Sequence, residues 1–264
     1  FRAHPDWFVT DHAGRPISGG WNPLWRSRFH VLDPTLPAVR HWLGELFRRL
    51  RDLGIGFFKL DYLYPAAFHG RRGDPDVTRA GALRLGLETI RDAVGEDGLL
   101  LGCGAPLGPA VGLVDAMRVS PDVAPFWRMR GLLPRILAED ELHGRYGSIR
   151  QTMARAFFHD RWWVNDPDVL LLGGRGAAPR EIRCQAAAVA ASGGLVLLGD
   201  DPRGLTEEQT ALFRWVLEHR NRAGDCPDAA LVHDPTRILP RGGEGLTVEM
   251  DLRTRSAYPD VPMP

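Results

Sequence analysis

The chain has 264 residues, 44% of them hydrophobic, which is enough for the core of one large domain or two smaller ones. Basic and acidic residues balance at 33 each and no basic run occurs, so nucleic acid is not expected as a partner. No apolar stretch approaches the roughly 20 residues that span a bilayer, so a membrane is not expected either.

Three cysteines without paired spacing favour free thiols in a reducing compartment, the cytoplasm. The N-terminus shows no basic segment followed by an apolar one, so no signal peptide is expected. The start at FRAHPDW, without methionine, suggests a fragment or a processed product.

Helical and strand patterns alternate from residue 33 to about residue 222. A helix is predicted from Asp33 and Pro34, as cap and first-turn residues, to Gly54. Further helices are predicted at 78–94, 148–159, 180–192 and 206–222. Buried strands are predicted at 55–60, 98–103, 114–120, 161–165 and 195–200, with a possible sixth at 7–10.

Strands that are apolar on both faces and separated by helices indicate a parallel sheet covered by helices. The spacing alone leaves two alternatives open, a doubly wound open sheet and a barrel without its first strands. Past Asp225 the segments become short, turn-rich and alternating, which predicts an antiparallel β region.

The stretch GIGFFKLDYLY, residues 54–64, carries the first candidate site. Lys59 is the only lysine of the chain. Residues two apart in a strand share a face, so Lys59 and Asp61 are predicted to project together from the carboxyl end of a buried strand. Ligands bind at that end in α/β folds. A structural ion pair is the alternative, although a compact ammonium fits where a guanidinium fork does not.

The stretch DAMRVSPDVAPFW, residues 115–127, carries the second. Arg118 ends a predicted strand and Asp122 follows in a loop, where the rings of Phe126 and Trp127 would disfavour an ionised carboxylate and suit a general acid. A turn-capping aspartate is the alternative. With Asp61, this residue completes the pair of carboxyl groups that a glycosidase requires. Four tryptophans could offer apolar platforms to a sugar: Trp7, Trp21, Trp25 and Trp127.

Two further motifs give weaker signals. HDRWWVNDPD, residues 159–168, lacks the glycine and glutamate of a calcium loop and the histidine pair of a zinc site, so no metal is predicted. Asn165 and Asp166 are expected to bond to backbone instead. GCGAPLGP lacks the remainder of a dinucleotide fingerprint, and its Cys103 is better suited to line a sugar pocket than to attack one.

Taken together, FFKLDYL, LGCGAPLGPAVGLVDAMRVSPDVAPFW and HDRWWVNDPDVLLL resemble the α-galactosidases of glycoside hydrolase family thirty-six, the melibiase group. The resemblance covers about residues 4–225. It implies a (β/α)-barrel of the TIM type at 1–224, holding strands about four to eight and lacking the first strands. The start of a C-terminal antiparallel β domain follows at 225–264. The implied enzyme is a retaining hydrolase that removes terminal α-linked galactose from oligosaccharides and uses no cofactor.

The resemblance also assigns six residues to the sugar site. Asp61 is implied to be the nucleophile and Asp122 the acid/base. Four residues are implied to bind the small α-galactoside substrate: Lys59, Arg118, Cys103 and Trp7. Three alternatives remain, namely a galactosyl transferase, a hydrolase of another α-linked sugar on the same scaffold, and a non-catalytic sugar-binding barrel fragment.

Overall fold

The computed structural model describes residues 3–22, 25–129, 143–173, 177–228 and 236–264. The chain forms two compact units, unit 1 (Phe1–Met117) and unit 2 (Arg118–Pro264). Within the described ranges, no helix combines the length and the apolar composition that crossing a membrane requires.

Unit 1 contains an antiparallel hairpin and a parallel sheet with its helices. The hairpin consists of β1 (Ser18–Asn22) and β2 (Ser27–His30). The remaining elements are α1 (Pro37–Asp52), β3 (Phe57–Leu60), α2 (Arg79–Val94), β4 (Leu99–Gly102), α3 (Leu107–Ala110) and β5 (Ala116–Arg118). Strand β4 pairs in parallel with β3 and with β5, as the alternation of strands and helices predicts.

Helix α2 forms as its sequence predicts. The Thr78 hydroxyl accepts a hydrogen bond from the Gly81 N–H at 3.0 Å, and the helix ends at Gly95, whose φ of +80° suits glycine. Four predicted core side chains are buried: Leu83, Leu87, Ile90 and Val94.

The predicted start of α1 is wrong, because the helix begins at Pro37 and not at Pro34. The Asp33 carboxylate accepts bonds from the Thr35 N–H at 3.0 Å, the Thr35 hydroxyl at 2.7 Å and the Gly73 N–H at 2.7 Å. It therefore holds a segment 40 residues away instead of capping a helix. Leu53, predicted on the apolar face, is exposed.

The possible sixth parallel strand at 7–10 is also wrong. Phe8 makes an isolated antiparallel bridge to Leu32, and Thr10 makes antiparallel bridges to Pro16 and Arg71. This segment therefore joins the hairpin region, not the parallel sheet.

Unit 2 contains three described helices and two kinds of strand pairing. Its helices are α4 (Arg145–Ala154), α5 (Pro179–Ser192) and α6 (Glu207–His219). Its strands after β5 are β6 (Val164–Asp166), β7 (Val169–Leu170), β8 (Leu197–Leu198), β9 (Gly224–Asp225), β10 (Arg237–Pro240), β11 (Val248–Asp251) and β12 (Ser256–Pro259). β7 and β8 pair in parallel, whereas the last four strands form an antiparallel sheet in the order β12-β11-β10-β9. The predicted antiparallel region is confirmed.

Helix α5 lies at the centre of the unit 2 core. Its buried face is rich in alanine, and it packs against α4, α6, β10, β11 and β12. Ile238, Val248 and Met250 of the sheet belong to the same hydrophobic cluster as the α5 alanines. The antiparallel strands therefore share one core with the helix, while the domain limit at 224/225 stays a prediction.

The architecture is mixed α/β with parallel strand pairs, as predicted. In the part of each unit that the structure describes, the strands do not close into a barrel by themselves. The barrel therefore stays a prediction.

Candidate active site

Lys59 and Asp61 lie at the carboxyl end of β3. Phe58 and Leu60 are buried under the helices, whereas Lys59 is exposed, and the exposed Asp61 directly follows the strand. The predicted alternation is confirmed. An ammonium and a carboxylate are thus both accessible at the strand end.

Cys103 lies beside this pair because β4 runs parallel to β3. The Cys103 N–H donates to the Leu60 carbonyl at 2.8 Å, and the Tyr64 N–H donates to the Gly104 carbonyl at 2.6 Å. The thiol is buried. The parallel pairing thus brings three of the six predicted residues to one edge of unit 1.

The backbone turns sharply directly after Asp61. The Asp61 Oδ1 atom accepts a bond from the Tyr62 N–H at 2.7 Å, and Tyr62 has a φ of +57°, which is uncommon for a residue with a side chain. Partial burial, and secondarily the nearby Tyr62 and Asp61, raise the pKa of the Tyr64 phenol. Two tyrosines therefore lie close to the candidate nucleophile, directly after it in the chain.

Trp7 belongs to a different aromatic group in unit 1. Its ring stacks on His4 with the ring centroids 3.9 Å apart and lies 6.0 Å from the ring of Trp42. These contacts give Trp7 a packing role, and its predicted contact with a sugar stays a prediction.

Arg118 lies in unit 2 at the end of β5 and is surrounded by carboxylates. Its side chain is 4% exposed, and its guanidinium forms ion pairs with Asp122 at 3.0 Å, with Asp166 at 3.8 Å and with Asp168. Its Nε donates to the Ser120 hydroxyl at 3.4 Å. The guanidinium therefore neutralises buried negative charge and fixes the position of the loop that carries Asp122.

Asp168 holds this arrangement through its own backbone geometry. It has a φ of +75°, a conformation that aspartate and asparagine tolerate better than most residues. Its Oδ2 atom accepts the Val123 N–H at 2.7 Å, and its own N–H donates to Asp166 Oδ1 at 2.8 Å. Asp168 thus joins the end of β6 to the loop after β5.

Asp122 lies in surroundings that differ from the predicted ones. Its side chain is 78% exposed and contacts a guanidinium, whereas Trp127 is buried and packs on Tyr146. The Trp127 ring therefore faces the core, and the exposed, ion-paired Asp122 shows that the prediction of an apolar setting for this carboxylate is wrong. Trp127 likewise presents no face to a sugar.

The NDPD segment serves structural bonding, as predicted. The Asn165 side chain donates to the Arg155 carbonyl at 3.0 Å, and Asp166 accepts the backbone bond from Asp168. Among the described residues, no group of three histidine, cysteine or acidic side chains is arranged to hold a metal ion.

No family model matches the chain. Similarity to solved structures is nevertheless clear. An α-galactosidase from Thermus thermophilus, in complex with p-nitrophenyl α-D-galactopyranoside, is 30% identical over 94% of this chain and 48% of that one, with a TM-score of 0.70. The structure of that enzyme with stachyose is 31% identical over 82% and 46%, with a TM-score of 0.67. This chain thus spans about half the length of the enzyme that it matches.

A more distant structural neighbour is an enzyme that is not an α-galactosidase. An isomalto-dextranase from Arthrobacter globiformis T6, complexed with panose, is 16% identical over 93% of this chain and 43% of that one, with a TM-score of 0.55. At that identity the match shows the fold alone. These neighbours are TIM-barrel glycoside hydrolases. This chain shares with that fold the alternation of helices with parallel strands.

Two features of the site were not predicted from the sequence. The ion pair between Arg118 and Asp168 joins residues 50 positions apart, and only the adjacency of the strands reveals it. The bond from the Asn22 side chain to the Tyr62 hydroxyl joins residues 40 positions apart. The acidic DPD triplet was the available signal for the first pair, whereas nothing in the sequence pattern indicates the second.

Proposed function

We propose that the chain forms part of the catalytic region of an α-galactosidase, a retaining hydrolase that removes terminal α-linked galactose from oligosaccharides. The observation that carries this proposal is the 30% identity to the Thermus thermophilus α-galactosidase along 94% of the chain. The accessible Lys59 and Asp61 at the end of β3, and the ion-paired Asp122, supply the residue types that this chemistry needs.

In the first step, a carboxylate oxygen of Asp61 forms a bond to the anomeric carbon while the glycosidic bond breaks. Asp122 gives its proton to the departing oxygen, so the leaving group is released as a neutral alcohol. The product on the protein is a galactosyl ester of Asp61.

In the second step, Asp122 takes a proton from water as the water oxygen attacks the anomeric carbon from the face that the leaving group vacated. The ester bond to Asp61 breaks, and galactose is released with its α configuration. Two inversions give overall retention.

Three of the remaining predicted residues lie at the sugar in this proposal, whereas the sugar contact of Trp7 stays a prediction. Lys59 donates to ring hydroxyls next to the attacking carboxylate, and Cys103 contributes a wall of the pocket. Arg118, although buried, has its Nη2 atom on the Asp122 carboxylate. In this proposal it positions the acid/base and donates to a sugar hydroxyl at the same place.

The test is release of p-nitrophenol from p-nitrophenyl α-galactoside by the full protein and by Asp61→Asn and Asp122→Asn. Loss of a general acid or a nucleophile costs at least about 100-fold in kcat. Glu218→Gln, a neutralised acidic residue of α6, is the control and is expected to keep wild-type activity. Equal rates in all four proteins would refute the proposal.

Azide separates the roles of the two carboxyl groups. In Asp122→Ala, azide attacks the galactosyl ester and yields α-galactosyl azide. In Asp61→Ala, azide takes the place of the nucleophile and yields the β anomer. The same anomer from both variants would refute the assignment of roles. A retaining mechanism further requires the carboxyl groups to be about 5–5.5 Å apart, which a crystal structure with substrate measures.

A further test concerns the sugar, because a hydrolase of another α-linked sugar on the same scaffold is the alternative. The same activity is measured with α-glucosides. We expect the α-galactoside to be preferred, and a reversed preference would replace galactose by another sugar on the same scaffold.

A further inference from the structure

Three exposed aromatic rings next to Asp61 are not used in the chemistry described above. Trp25 is 53% exposed, Tyr62 is 41% exposed and Tyr64 is 39% exposed, and together they are named the aromatic platform. Their rings are contiguous, because the ring centroids of Trp25 and Tyr62 lie 5.1 Å apart and those of Tyr62 and Tyr64 lie 5.9 Å apart. Contiguous exposed apolar surface in a soluble protein commonly marks a binding site.

The platform is held together by a buried polar side chain. Asn22, which is buried, accepts a bond from the backbone N–H of Trp25 at 3.2 Å and donates to the Tyr62 hydroxyl at 3.0 Å. One amide thus ties the β1–β2 hairpin to the segment after β3. Fixing the backbone of Trp25 and the ring of Tyr62 in advance lowers the entropy cost of binding a ligand on them.

The platform adjoins the candidate nucleophile. Tyr62 follows Asp61 in the chain and donates its N–H to that carboxylate at 2.7 Å. The Asp61 charge also acts on the Tyr64 phenol. A group attached to a sugar at Asp61 therefore has these rings within reach.

The surroundings of the rings favour a flat, partly apolar ligand. Trp25 and Tyr62 line a cavity of about 290 Å³ whose other walls are mainly apolar side chains of residues 29–34 in and after β2, of α1 and α2, and of the segment after β3. The tyrosine hydroxyls add hydrogen-bonding groups. A pyranose ring has an apolar face and a polar edge. The face can stack on the aromatic rings while the hydroxyls at the edge bond to the tyrosine hydroxyls.

We infer that the aromatic platform binds the leaving-group sugar of an oligosaccharide substrate, so that it selects oligosaccharides over galactosides with small leaving groups. This inference rests on the proposed function. It concerns the part of the substrate beyond the cleaved bond, whereas the six residues of the sugar site concern the galactose.

The experiment compares two substrates that share galactose and differ in the leaving group. Stachyose carries a sugar there, whereas α-galactosyl fluoride carries a single atom that cannot reach the platform. In the full protein, Trp25→Ala is expected to lower kcat/KM for stachyose about tenfold and to change that for the fluoride less than twofold. Trp25→Phe, which keeps a ring, is expected to recover most of the loss.

A second variant and a control guard against a general loss of structure. Asn22→Ala keeps all three rings but removes the hydrogen bonds to Trp25 and Tyr62, and it is expected to raise KM for stachyose with little effect on the fluoride. Trp162→Ala removes a 44% exposed tryptophan of unit 2 and is expected to behave like wild type. Far-UV circular dichroism confirms that each variant is folded.

The results separate this inference from the proposed function. Equal losses for both substrates, or no loss for either, would refute the leaving-group site while leaving the hydrolase in place. If wild type releases galactose from neither substrate, the proposed function fails, and a site for a leaving group fails with it.

Discussion

Replacement of Arg118 by methionine tests whether one guanidinium balances the carboxylates around it. The Arg118 side chain is 4% exposed, and of its partners Asp166 is fully buried and Asp168 almost so. Asp122 is mostly exposed, so its pair with Arg118 contributes at most about 1 kcal/mol. The two buried carboxylates dominate, because methionine removes the positive charge that Arg118 places beside them. Breaking a buried ion pair costs about 3–5 kcal/mol, and we expect a loss of this size.

A double-mutant cycle identifies the cause of that loss. Asp168→Asn alone is expected to cost about 1 kcal/mol, because asparagine tolerates the φ of +75° and can still accept the Val123 N–H bond. In the Arg118→Met background the same substitution is expected to restore about 2 kcal/mol, because it removes a buried charge.

Urea denaturation of the full protein gives the free energies of unfolding. Native-state hydrogen exchange at two amides gives a local measure, since the Val119 N–H donates to the backbone carbonyl of Asp166 and the Val123 N–H donates to the Asp168 carboxylate. A cost below about 1 kcal/mol for Arg118→Met, or no recovery in the double variant, would refute the balance of charge argued here.

Two further predictions concern the packing of unit 2. His159 accepts the Asn165 N–H at one ring nitrogen and donates from the other to the Arg222 carbonyl, and burial lowers its pKa. The folded state therefore disfavours the protonated ring, so stability is expected to be constant above about pH 6.5 and to fall as the pH drops below it. Thermal midpoints from pH 5 to 8 check this, and an identical fall in His159→Gln would contradict it. Gly194 has a φ of +96°, and a Cβ there would meet the Asn165 carbonyl oxygen at 2.4 Å. Gly194→Ala is thus expected to cost at least about 3 kcal/mol in urea denaturation, against less than about 1 kcal/mol for Gly204→Ala, where the space is open. Equal costs would argue against the close approach.

The sequence pattern predicted the elements whose determinants are local. Alternation around Lys59 placed Phe58 and Leu60 in the core and the charged side chains outside. Thr78 and Gly95 marked the ends of α2 because a cap and a left-handed stop act within one helical turn.

Long-range bonds account for the errors. Asp33 has the sequence context of a helix cap, but its carboxylate has a stronger set of partners that includes Gly73. Trp127 follows Asp122 closely in sequence, yet its ring packs in the core of unit 2. Such competition is decided by tertiary packing and leaves no periodic signal.

The alanine-rich face of α5 has a consequence for how the C-terminal strands are acquired. Small side chains let the backbone of a helix approach a sheet closely. The alanine face of α5 and the sheet face that packs on it would therefore each expose apolar area to water if the other were absent. During synthesis, α5 leaves the ribosome before β10, β11 and β12 do. The part of its apolar face that these strands cover in the folded protein is exposed to water until they are made. Proteins truncated before residue 237 are therefore expected to aggregate, because the strands of 237–259 cover a face of the helix that is made before them.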